Sequence, residues 1–106
     1  MRIKSELLWG ESIRDKSKIY DLLQAGELPS GYFMLVCTKG GQIEIVPAKM
    51  QSSKYYLSKE CLVFGIARGR KESYSMITSI VNDIFVDMKY ESIKDFAGEV
   101  LGEPIC

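Results

Sequence analysis

The chain has 106 residues, of which 46% are hydrophobic and 26% charged, and its 14 Lys plus Arg balance 14 Asp plus Glu. These proportions predict a single globular domain over 1–106 with one modest core. They argue against disorder, against a membrane-spanning helix and against general binding of duplex nucleic acid, which calls for a basic surface.

In chain order, "ELLWG" at 6–10 reads as a short first strand. Ser12 and Asp15 then offer side-chain oxygens to the first amides of a helix over about 13–25. Ile13, Ile19, Leu22 and Leu23 supply its apolar side, and Gly26 with Pro29 ends it. The runs "YFMLVCT" at 32–38 and "QIEIVP" at 42–47 flank Gly40-Gly41, a pair able to take the positive φ angles of a hairpin turn. Ile43 and Ile45 face one way and Gln42 and Glu44 the other, whereas 32–38 is apolar on both faces. A polar connection follows over 48–60, long enough for a short helical turn.

"CLVFGIA" at 61–67 is again apolar on both faces. Beyond it, Ile77, Ile80, Val81, Ile84, Phe85 and Met88 fall at helical spacing, with Glu72, Ser75, Ser79, Asn82 and Asp83 towards the opposite side. The tail over 91–106 fits either a short helix or an edge strand.

The order β-α-β-β-β-α plus a tail predicts an α+β two-layer sandwich. Its sheet would be mixed or mainly antiparallel, of about four to five strands, with two main helices packed on one face. This order loosely resembles a ferredoxin-like sandwich, with an extra strand between the helices. Two helices on one face would leave the doubly apolar strands half uncovered. The tail or a second copy of the chain would have to cover them, and a homodimer is the expectation.

The chemistry open to the chain is narrowed by what it lacks. Histidine is absent, which removes Ser-His-Asp and Cys-His catalysis and imidazole metal ligation. Three cysteines without CxxC spacing form neither a zinc site nor a disulfide framework; Cys37 and Cys61 sit in strand-like runs as small hydrophobes, and Cys106 is the last residue. The start "MRIKSELLWGES" carries no apolar signal-peptide core, so a cytoplasmic location is expected. No metal or cofactor site is predicted.

Two stretches invite a functional reading. "GIARGRKES" at 65–73 joins a strand to a helix and combines Gly65 and Gly69 with Arg68, Arg70 and Lys71. Glycine-assisted close approach, free helix amides and cations are what a phosphate seat needs. The spacing matches neither the P-loop nor the dinucleotide fingerprint, and cations at a helix start oppose its dipole. In the plainer reading the glycines make the turn and let a helix cross the strand closely, and the cations are solvated.

The second stretch is the 48–60 connection, where Lys54, Tyr55 and Tyr56, with Lys49 and Lys59, could stack bases of a single strand or simply anchor a loop. Asp83, Asp87 and Glu91 read as a solvated acidic edge, and Trp9 as a core or interface residue rather than a ligand platform. The leading expectation is a non-catalytic binding or assembly domain acting as a homodimer, with a further protein partner possible. Phosphate-bearing, nucleotide-like ligand binding at 65–71 is the first alternative, and weak single-strand binding by the 49–59 loop the second.

Overall fold

The computed structural model describes residues 2–38, 42–52 and 61–82. Within them the chain forms strand β1 (Arg2–Trp9), helix α1 (Lys16–Gln24), strands β2 (Tyr32–Thr38) and β3 (Ile43–Pro47), a 3₁₀ turn (Ala48–Met50), strand β4 (Cys61–Arg68) and helix α2 (Arg70–Val81). The strands make one mixed sheet in the order β1-β4-β2-β3, an α+β fold. β2 pairs antiparallel with both β3 and β4, and β1 runs parallel to β4.

The helices do not share a face. Ile19 and Leu23 of α1 pack with Met34, Val36, Val46, Val63 and Ile66 on one side of the sheet. On the other side, Ile80 of α2 packs with Leu35, Cys37, Leu62 and Phe64, flanked by Met76 and Ile77. The arrangement is therefore helix, sheet, helix, which corrects the expectation of two helices on one face. Alternation along the strands accounts for it: Met34 and Val36 point one way and Leu35 and Cys37 the other, so each face needs its own apolar cover. Cys37 and Cys61 are buried as expected, on opposite faces.

The helix boundaries follow from capping. Asp15, not Ser12, caps α1: its carboxylate accepts from the Lys18 amide at 3.3 Å. The helix therefore starts three residues later than the spacing predicted, because residues 10–13 form a turn (Ile13 N–H to the Gly10 carbonyl, 3.1 Å) that drops Ile13 into the core. At the other end, Gly26 N–H donates to the Leu23 carbonyl and Glu27 N–H to that of Leu22, a Schellman closure with Gly26 at φ 73°. The chain then runs to Leu28, whose backbone is clamped by the Gln51 side chain: Leu28 N–H donates to Oε1 at 2.8 Å and Nε2 donates to the Leu28 carbonyl at 3.0 Å.

In α2 Ser73 and Ile80 are buried and Met76 and Ile77 partly so, whereas Val81, expected inside, is 38% exposed. The Gly40-Gly41 turn, most of the 48–60 connection and everything beyond Asn82 lie outside the described residues.

β4 carries an irregularity that its sequence hides. Leu35 pairs with Gly65 and Val36 with Val63, leaving Phe64 as an extra residue. Phe64 and Gly65 consequently both turn towards the α2 face, and Ile66 returns to the α1 face. A Cβ at Gly65 would lie 3.0 Å from Leu35 Cδ1 and 3.2 Å from the Leu8 carbonyl oxygen. The close approach at Gly65 is thus to a neighbouring strand, not to a crossing helix. β1 answers with a larger slip between Ile3 and Leu8, and only its two ends keep register with β4.

Gly65→Ala is expected to destabilise the fold by about 1–3 kcal/mol, because the Leu8 carbonyl is backbone and cannot rotate aside. Urea denaturation measures this. A change within about 0.5 kcal/mol, as at an ordinary surface position, would mean that β1 yields freely at that point.

Candidate functional site

β1 and β4 end side by side. From the end of β1 the chain turns through Gly10, Glu11 and Ser12 towards α1 on one face. From the end of β4 it turns through Gly69 into α2 on the other. Two connections that diverge to opposite faces leave a crevice between them at the carboxyl edge of a parallel pair, where open α/β sheets commonly seat ligands. Here the crevice is an open groove of about 690 Å³ whose walls include Trp9, Ser12, Arg68, Lys71, Glu72 and Met76.

Gly69 makes the turn into α2. It sits at the N-cap with φ 91° and ψ 159°, a backbone state that a side chain would strain. Its amide donates to the Gly31 carbonyl at 2.8 Å, and its carbonyl accepts from the amide and the hydroxyl of Ser73, at 3.2 and 2.9 Å. The buried Ser73 hydroxyl is thereby satisfied.

Two backbone amides at the groove find their acceptor within the protein. The Glu72 carboxylate accepts from the Arg68 amide at 2.8 Å and from the Ser12 amide at 3.1 Å. One carboxylate thus ties the connection leaving β1, whose Ser12 is sixty residues from Glu72 in sequence, to the last residue of β4. Gly10 makes room for it: any Cβ there would collide with the Glu72 carboxyl group.

Burial works against the charge on Glu72. The Arg68 amide, the side chain and amide of Ser12 and the Arg68 guanidinium outweigh that burial and hold the carboxyl below its ordinary value of 4.5. Glu72 also offsets the unfavourable placement of Arg70 and Lys71 in the first turn of α2.

Of the five predicted ligand residues, Arg68 and Lys71 line the groove and Gly69 shapes its edge. Arg70 instead lines a depression on the outer face of α2 with Tyr74 and Thr78. Gly65 lies inside the sheet. The Arg68 guanidinium is also 6.0 Å from the Tyr32 ring centroid, at the limit of a cation–π contact. Lys54, Tyr55 and Tyr56 lie outside the described residues.

Reading from sequence missed Glu72 as a site residue and placed it on the solvent side of its helix. The available signal was an acid three residues after Gly69, the capping-box position, but its second donor, Ser12, comes from a distant segment. Trp9, read as a core or interface residue, is half-buried against the α1-side core and also contributes to the groove.

Among the described residues, no helix is long and apolar enough to cross a membrane, and no cluster of three or more Cys, Asp or Glu is placed to hold a metal ion. No family model, curated protein or solved structure matches the chain.

Glu72→Gln should destabilise the fold by about 1 kcal/mol at neutral pH, below the usual range of about 1.5–3 kcal/mol for a charged hydrogen bond because the carboxylate is only half-buried and glutamine keeps one acceptor oxygen. The folded-state pKa is depressed, so the contribution is complete above 4.5 and lost as pH falls through the folded value. Urea titrations of both proteins at pH 7 and at pH 3 should give curves that differ more at the first than at the second. An undiminished difference at pH 3 would remove the carboxylate charge from the explanation.

Proposed function

We propose that this chain is a small ligand-binding domain whose site is the groove between the carboxyl ends of β1 and β4, and that its ligand carries a phosphate or similar anionic group. The observation that carries this reading is the divergence of the two connections. α1 and α2 lie on opposite faces of the sheet, so the ends of two adjacent parallel strands are left facing an open groove. Arg68 and Lys71 in its walls provide the attraction for an anion, and Trp9 and Met76 provide apolar surface for the remainder of the ligand.

Thermal unfolding with sulfate, nucleotides, dinucleotides and coenzyme A tests the reading. A ligand at 100 times its Kd stabilises the fold by about 2.7 kcal/mol, which at this size raises the midpoint by roughly 10–20 °C. Arg68→Ala combined with Lys71→Ala should remove most of the shift, while Arg70→Ala, on the outer face, should keep it. Absence of a shift across the panel would count against a ligand site in the groove.

Association is the second reading. Its first motive, a sheet face left uncovered, has gone, since α2 covers that face. What supports it now is the outer side of α2, where Tyr74 is 56% exposed and Val81, two turns on, is 38% exposed. If two copies meet there, sedimentation at tens of micromolar should show a dimer that Tyr74→Glu converts to monomer. A wild-type chain that sediments only as monomer would dismiss the idea.

A further inference from the structure

The groove sets Arg68 and Lys71 against Glu11 and Glu72, and the Glu72 carboxylate already accepts from its two backbone donors. We infer that Glu72 is an internal competitor for the site: its carboxylate takes the donors that an incoming anionic group would use, and it must rotate away before such a group can bind there. This inference rests on the reading of the groove as a ligand site.

Three observations lead to it. First, of the two amides that Glu72 engages, that of Ser12 belongs to the connection leaving β1 and that of Arg68 to the last residue of β4, and neither belongs to the turns of α2. They mark the floor of the crevice, where an oxyanion could accept from both at once.

Second, their present partner sits at the end of a flexible side chain. A backbone partner could leave only by unfolding, whereas a glutamate leaves by turning about its own bonds, at a cost of one or two charged hydrogen bonds. Rotation would vacate the space that Gly10 keeps clear, beside both amides and within the same walls as Arg68 and Lys71.

Third, the carboxylate in its present place repels any anion that enters and neutralises part of the attraction of Arg68, whose charge it feels. The apparent affinity for an anion is then the intrinsic affinity reduced by the fraction of molecules in which Glu72 has swung out. Glu72 would thus select ligands whose anion is strong enough to replace a carboxylate in that seat, favouring a multiply charged phosphate over a lone carboxylate.

Trp9 is the one tryptophan of the chain and lines the groove, so its fluorescence reports binding directly. Wild type, Glu72→Gln and Glu72→Ala would be titrated with inorganic phosphate and pyrophosphate at constant ionic strength and pH 7. The expected result is binding about tenfold tighter in Glu72→Gln than in wild type and tighter still in Glu72→Ala; should the alanine variant not fold, the glutamine variant decides. In isotope-labelled wild type, the amide resonances of Ser12 and Arg68 should both move as pyrophosphate binds.

Equal affinities in wild type and both variants, with binding still lost in the Arg68→Ala, Lys71→Ala protein, would overturn the competitor and leave the groove as a ligand site. The competitor is likewise overturned if pyrophosphate binds wild type without shifting the Ser12 and Arg68 amides. If no protein in the series binds either anion, the phosphate reading of the groove fails and the competitor fails with it.

Discussion

The burial of β4 on both faces is the constraint on which the rest of the molecule depends. From Cys61 to Ala67 every residue is withdrawn from solvent, and β1 and β2 flank the strand on its two edges. A strand in that position requires apolar cover above and below the sheet, and among the described residues α1 covers one side and α2 the other. Because β1 is parallel to β4, both strands deliver their carboxyl ends to the same edge of the sheet. Since their helices depart in opposite directions, that edge opens into a groove. The groove is thus a consequence of how the core is closed.

The bulge at Phe64 and Gly65 links core to site. By placing both residues towards α2, it fills that side with a phenyl ring and leaves no room for a second side chain beside Leu35. It also returns Ile66 to the α1 side and thereby sets the register of the last three residues of the strand. Trp9 pairs with Ile66, and the amide of Gly10 donates to the Ile66 carbonyl at 2.8 Å, so this shift decides where β1 stops beside β4. If the same residues ran through this point without the bulge, strict alternation would reverse the faces of Ile66 and Arg68, since strand side chains alternate with a period of two.

Glu72 joins stability and the proposed binding role in one carboxylate. As a structural element it neutralises a helix start loaded with cations and pins the β1–α1 turn to the end of β4. As an element of the site it stands where a ligand's charge would be stabilised. The same hydrogen bonds that tie the fold together would therefore oppose binding, and the difference between the two uses is one of degree: how many charged donors the competing anion can satisfy.

Much of the architecture was legible in the sequence. The limits of β2, β3 and β4 could be read to within a residue from apolar runs bounded by glycine and polar residues, and the helix after β4 from its apolar period. The α+β class followed from their order. Chain-local rules suffice there, because hydrophobic period and turn chemistry act over a few residues.

Three things were decided by tertiary structure. The α1 stripe is equally compatible with either face of the sheet, so its separation from α2 depended on strand order and on the parallel pairing of β1. Phe64 and Gly65 look like ordinary alternation until the ladder with β2 shows one residue too many. Glu72 looks like a solvated acid until Ser12 arrives from the other end of the chain. Sequence by itself determined which segments become strands and helices and which residues are apolar enough to be buried. Which residues meet at the groove was decided only when β1 docked along β4, because the partners of Glu72 lie four and sixty residues away and only the closed sheet brings both within hydrogen-bonding distance.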